Sequence, residues 1–173
     1  SSGIEIQGSV LGAATQGTLF GSSGVIVIPA NWFTVGSTIS LDLRGHFITA
    51  ASAGNYTFRV KLGSTVLAAS AATAMTNSLG TPGDPFTGAA FDISIKLSCL
   101  TTGGTGVIDA IGFITYNSSG TTPVRIPMLN NGNTINTAIS QNLDCTVEMS
   151  IGSANNYVDV FTVLVVGNKA EFG

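Results

Sequence analysis

The side chains that could do chemistry are few and lie far apart in the sequence. His46 is the only imidazole. Its nearest acid, Asp42, sits four residues away on the same alternating segment. Both side chains therefore share a face, but at ~3.3 Å per residue they are about 13 Å apart, too far for an acid–base pair. The two thiols, Cys99 and Cys145, each fall on the apolar phase of their segment. That placement reads as two small buried hydrophobes with free thiols. A disulfide would need their strands to be neighbours with Cα atoms about 5–6 Å apart, which spacing alone does not show. A metal centre needs more ligands than two thiols and one distant imidazole. Nine scattered carboxylates always permit some pair, so a glycosidase-type acid pair is not indicated. Asn130, Asn131, Gly132 and Asn133 offer amides without a carboxylate, so they are expected to form a hairpin turn rather than a Ca²⁺ loop. Asn55-Tyr56-Thr57 and Asn117-Ser118-Ser119 match the N-glycosylation triplet. The sequence has no G-x-S-x-G elbow, no phosphate-binding glycine loop and no paired-histidine zinc motif. We expect no catalytic, metal-binding or cofactor-binding residue, and no enzyme.

Charge narrows the partners. Only 9% of the 173 residues are charged, while 44% are hydrophobic, and Ser, Thr, Asn and 22 glycines make up much of the rest. Six cations stand against nine acids, for a net charge of −3. Arg44, Arg59, Lys61, Lys96, Arg125 and Lys169 are scattered rather than clustered, which argues against nucleic-acid binding. No apolar run approaches the length that spans a bilayer, and no basic patch suits an anionic one, so no membrane insertion is expected.

The elements that must position these groups read as strands. In 91–100, Phe91, Ile93, Ile95, Leu97 and Cys99 alternate with Asp92, Ser94, Lys96 and Ser98, giving one apolar and one polar face. The same alternation recurs in 38–48, 56–62, 107–116, 124–128, 143–151 and 157–166. Gly45, inside 38–48, predicts a bulge or a close backbone crossing. Gly63-Ser64 predicts a hairpin between 56–62 and 65–68. Pro127 is read as ending its strand, and 134–140 as extended. In 157–166 both phases are apolar, which predicts burial on two sides, the second being the interior or a subunit interface. Trp32 is read as a plug at one end of the core. Tyr56, Tyr116 and Tyr157 fit either sugar stacking or core and rim packing. Eight to ten strands with turns about every ten residues, and no helix of usual length, predict an all-β antiparallel sandwich of jelly-roll type. Residues 1–24 are read as a lead-in segment or inter-subunit arm, and 25–173 as one domain of a size that buries about 70% of its unfolded surface.

The opening stretch carries a resemblance. Thr18-Leu19-Phe20-Gly21, then the run from Val27 through Pro29, Asn31, Trp32 and Phe33 to Gly36, then Thr38 through Asp42 and Arg44 to Gly45, resembles a strand–turn–strand opening in virion proteins of tailed bacteriophages. Phe58-Arg59-Val60-Lys61-Leu62-Gly63-Ser64-Thr65-Val66-Leu67 continues it. The resemblance covers the chain as far as about Ser70, with strand rhythm alone beyond that point. It implies a jelly roll that trimerises as the head of a tail fibre, head fibre or spike and contacts the host cell surface. It implies no binding residues.

The expectation is therefore a viral structural protein on an extracellular particle. Its partners would be copies of itself in a homotrimer, other virion proteins, and a host glycan or protein receptor. Loops 77–88, 101–106 and 118–122 are the candidate contact tips, against a plain connecting role. A single-jelly-roll capsid or capsid-decoration protein is the alternative, although the lead-in carries only Glu5 as charge, unlike a basic arm that neutralises a genome. A carbohydrate-binding module or lectin is the second alternative, and would require a Trp-lined groove or an acid cluster.

Overall fold

The computed structural model describes residues 8–11, 16–20, 24–81, 84, 87–117, 123–153 and 155–169. In chain order the strands are β1 Gly8–Leu11, β2 Gly17–Thr18, β3 Ile26–Ile28, β4 Thr38–Ile48, β5 Asn55–Leu62 and β6 Thr65–Ala69, followed by β7 Thr73–Ala74, β8 Ala89–Thr101, β9 Gly106–Asn117, β10 Pro123–Ile135, β11 Gln141–Met149 and β12 Tyr157–Asn168. All pairings are antiparallel, and the order across the sheet is β1-β12-β4-β8-β9-β10-β6-β5-β11-β2. β3 adds to β11 and β7 to β5.

This order gives a curled, jelly-roll-like sandwich. The consecutive strands β4 and β5 pair with the consecutive strands β12 and β11, and these two pairings lie in opposite halves of the sheet. The sheet curls so that the halves face one another. β4 and β5 are remote in strand order, yet the Phe47 ring of β4 meets Tyr56 and Phe58 of β5 at centroid distances of 6.1 and 5.7 Å. Phe47 also stacks on Phe91 of β8 at 4.3 Å and meets Tyr116 of β9 edge-on. The alternation read from the sequence is what fills this interior. Ile39, Leu41, Leu43, Ile93, Ile95, Leu97, Leu143, Cys145 and Val147 are all buried, while their alternate neighbours, apart from the buried Thr146, are more exposed. The expected hairpin is present, with β5 and β6 joined through Gly63 at φ 60°. β8 lies between β4 and β9, inside the sheet as its pattern required.

Four expectations change. First, Asn130 to Asn133 is not a hairpin turn. β10 continues through it, and the pairing with β9 slips between Asn130↔Ala110 and Asn133↔Ile108. The residues are accommodated as a bulge because Gly132 adopts φ 71° and its N–H donates to Asp109 Oδ1 at 2.6 Å. Asn133 Nδ2 then donates to the Leu67 carbonyl at 2.9 Å, tying the bulge to β6. Second, Pro127 does not end its strand. It sits within β10 opposite Phe113, and 123–128 pair only with β9, so the missing N–H is tolerated on an edge. Third, β10 stops at Ile135, and 136–140 turn instead of extending.

The fourth correction concerns β12. Its pairing with β4 slips between Val160↔Gly45 and Thr162↔Arg44, leaving Phe161 as an extra residue. A bulge inverts the alternation beyond it. Val158 and Val160 point inward before the bulge, and Val163 and Val165 after it. One interior therefore takes up apolar residues of both phases, while Phe161, Leu164 and Val166 lie on the outward side. Gly45 lies opposite this bulge as predicted: a Cβ there would sit 1.9 Å from the Asp159 carbonyl oxygen.

Within the stretch read as a lead-in, β1 pairs with β12, β2 pairs with β11, and Leu19 and Phe20 are core residues. The connection from β3 to β4 crosses the end of the sandwich. It is held by the Asn31 N–H on the Thr137 carbonyl and by reciprocal bonds between Gly36, Ser37 and Cys99. Trp32 is half-buried there, edge-on to Phe33 and lying over Gly167, where a Cβ would come 2.4 Å from its ring. Among the described residues no helix is long and apolar enough to cross a membrane.

Candidate functional site

The residues singled out for possible chemistry do not converge. His46 lies on the outward face of β4, opposite Asp159 of β12 and edge-on to Phe161 at 5.0 Å. Asp159, not Asp42, is thus its acidic neighbour. The sequence held no signal for this, since the pairing depends on the register of strands distant in the chain. Burial raises the Asp159 carboxyl above the ordinary carboxylate range, and the His46 charge opposes that rise. Cys99 and Cys145 are free and buried, on β8 and β11. Burial pushes both thiols upward, with Asp144 adding to the effect at Cys145 and a Ser37 hydrogen bond opposing it at Cys99. Neither is placed as a nucleophile, because the thiolate is the reactive form. Among the described residues no group of three or more His, Cys, Asp or Glu is arranged to hold a metal ion.

Tyr56, Tyr116 and Tyr157 are buried, at 0, 3 and 7% exposure, so packing and not sugar stacking is their role. The triplet residue Asn55 is exposed at the start of β5, and Asn117 at the end of β9. The loop at 118–122 lies outside the described residues. The 102–105 loop is fastened at its base, where the Gly103 N–H donates to Thr137 Oγ1 at 2.8 Å and the Thr137 N–H returns to the Gly103 carbonyl at 3.0 Å.

The surface feature with the chemistry of recognition lies on the outer face of β9 and β10. The inward residues of these strands, Ile108, Ala110, Ile114, Ile126 and Met128, are buried. Period-two alternation then forces Ile111, Phe113, Arg125, Pro127 and Leu129 outward. Register brings them together as the cross-strand pairs Leu129↔Ile111 and Pro127↔Phe113, with Arg125 opposite Thr115. With Gly112 they line an open groove of about 320 Å³. Ile111 and Leu129 are 61 and 57% exposed. Arg125 lies over the Phe113 ring, its guanidinium carbon 3.5 Å from the centroid. Stacking holds a guanidinium by its face and leaves its edge N–H groups free to donate.

The three arginines differ. Arg44 is bound to Asp92 at 2.9 Å and Arg59 to Glu148 at 2.8 Å. Arg125 has no carboxylate partner among the described residues. Lys96 of β8, the register partner of Ile111, projects from the same face and is exposed. The sequence showed Arg125 and Lys96 only as scattered cations, because the register that places them beside one apolar groove is tertiary.

Comparison with protein-family models, with curated proteins and with solved structures finds no match to this chain.

Proposed function

We propose that this chain is a non-enzymatic structural protein of a virus particle of the tailed-bacteriophage type, the homotrimeric head domain of a fibre or spike that contacts the host cell surface. The observation that carries the reading is the outer face of β9 and β10. Two large aliphatic side chains stand more than half exposed side by side, with an aromatic ring, a proline and an arginine. Exposed apolar clusters of this kind mark interaction surfaces, and arginine and aromatic residues are enriched in them. The all-β, sandwich-like fold is of the kind that the resemblance of the opening residues implies. The neutral Ser, Thr and Asn surface suits an exposed particle component. Light scattering on a sizing column tests it. A mass near three times the 17.5 kDa of one chain is expected, and a single-chain mass at all concentrations would overturn it.

A further inference from the structure

We infer that the free edge of β10 is guarded against strand addition: Pro123 and Pro127 withhold the backbone donors that another strand, a second copy of this chain above all, would need in order to extend the sheet. The inference is independent of the trimer reading above. It concerns an edge at which copies are kept from joining.

Successive residues of a strand turn their N–H and C=O groups to opposite sides, so one fixed point sets the phase of a whole strand. β6 supplies that point. The Ser70 N–H donates to the Phe58 carbonyl of β5 at 2.9 Å. Ala69, one residue earlier, therefore turns its groups away from β5 and toward β10, where it faces Leu129. Leu129 turns its own groups toward β6. Pro127, Arg125 and Pro123 precede it by even steps with no register shift between, so they turn theirs the same way. β6 ends at Ala69, and among the described residues no strand pairs with that side of 123–128.

Three residues would thus face a new strand, and two of them are prolines. Only the Arg125 N–H remains as a donor. The carbonyls of an added strand that met Pro123 and Pro127 would be buried without a partner, which costs more than a bond not made. Val124, Ile126 and Met128 turn their N–H groups to β9, and a proline at any of them would delete a ladder bond. The prolines therefore occupy the one phase in which they cost the sheet nothing and close its edge. The segment needs such a guard, because its alternate residues Val124 and Ile126 are β-branched and its edge is otherwise a template for pairing.

The test compares the wild-type chain with Pro123→Thr/Pro127→Thr, which restores both donors at exposed positions, and with Val35→Thr as a control at an exposed position off β10. Masses are read by light scattering over a concentration series, with circular dichroism and a thermal melt to establish folding. The double variant is expected to gain mass with concentration, to about twice the wild-type mass or more, while Val35→Thr follows the wild type. A folded double variant that keeps the wild-type mass at every concentration overturns the inference. So does one that gains mass while its Arg125 amide still exchanges freely, since it then associates elsewhere. Hydrogen exchange on the wild-type chain decides the matter without any substitution. The Arg125 amide should exchange much faster than those of Val124 and Ile126, and equal protection of all three would show the edge already paired and overturn the inference.

Discussion

Substituting Gly45 by alanine tests the closest approach in the sheet. The added Cβ would lie 1.9 Å from the Asp159 carbonyl oxygen and 2.8 Å from Phe91 Cε1. Restoring an ordinary 3.4 Å contact to that oxygen requires β4 and β12 to part by about 1.5 Å, the difference between 3.4 and 1.9 Å. Interstrand spacing is only ~4.8 Å, so this opens the ladder locally. Two hydrogen bonds beside the Phe161 bulge would be lost at a net ~0.5–1.5 kcal/mol each. The Phe91 ring must also leave its stack on Phe47, which costs a further ~0.5–1.5 kcal/mol. The sum is about 3 kcal/mol. For a domain of this size each kcal/mol lowers Tm by roughly 2–4 °C, so a drop of about 6–12 °C is expected. Thermal denaturation followed by circular dichroism reads it directly. Gly104→Ala is the control, since nothing lies within 4 Å of a Cβ there, and it should change stability by under ~0.5 kcal/mol. If Gly45→Ala melts with the wild type, the close crossing and the bulge opposite it are wrong.

Other perturbations address the core and its polar groups. The Tyr56 hydroxyl is fully buried and has no hydrogen-bond partner among the described residues, and burial pushes its phenol well above the usual range. Tyr56→Phe should leave stability unchanged or raise it by up to ~1 kcal/mol in a denaturant titration, whereas a loss of that size would reveal a partner. Asn156 is fully buried; its Oδ1 accepts the Ala50 N–H at 2.8 Å and its Nδ2 reaches the carbonyls of Ser52, Ala53 and Ile151. Asn156→Ala strands these groups and should cost about 2–4 kcal/mol in the same titration, with a cost below ~1 kcal/mol contradicting the clamp. For Asp159 the raised folded value means that the native state holds its proton more tightly than the unfolded chain. Its contribution is therefore complete below the ordinary carboxylate value and is lost as pH rises through the raised one. Asp159→Asn should melt above the wild type at neutral pH and with it in acid, and the reverse pattern would show that the His46 attraction dominates.

The legible part of this protein was the part governed by local periodicity. Alternation fixed which residues of β4, β8, β9 and β11 face inward, and Gly45 announced a close crossing because no other residue fits one. What misled was local pattern subject to tertiary override. Asn131-Gly132 has hairpin chemistry, but Asp109 on the neighbouring strand captures the Gly132 N–H and keeps the chain in the sheet. The doubly apolar β12 signalled a phase change at Phe161, which period-two reading cannot distinguish from burial on both sides. The groove was not legible at all. Ile111, Phe113 and Leu129 look like ordinary strand residues until the β9–β10 register gathers them on one face, with Arg125 over Phe113.

The most direct measurement of the proposed assembly uses the native thiols as a silent background. Cys99 and Cys145 are 1 and 0% exposed, so a thiol introduced by Leu129→Cys should be the only one to react in the folded protein. The account predicts that this thiol is protected at micromolar chain concentration and reacts rapidly once dilution separates the copies. If it labels at every concentration as fast as a thiol placed at the exposed Ser64, the groove is open to water and the reading of this face as an interaction surface of the trimer is contradicted.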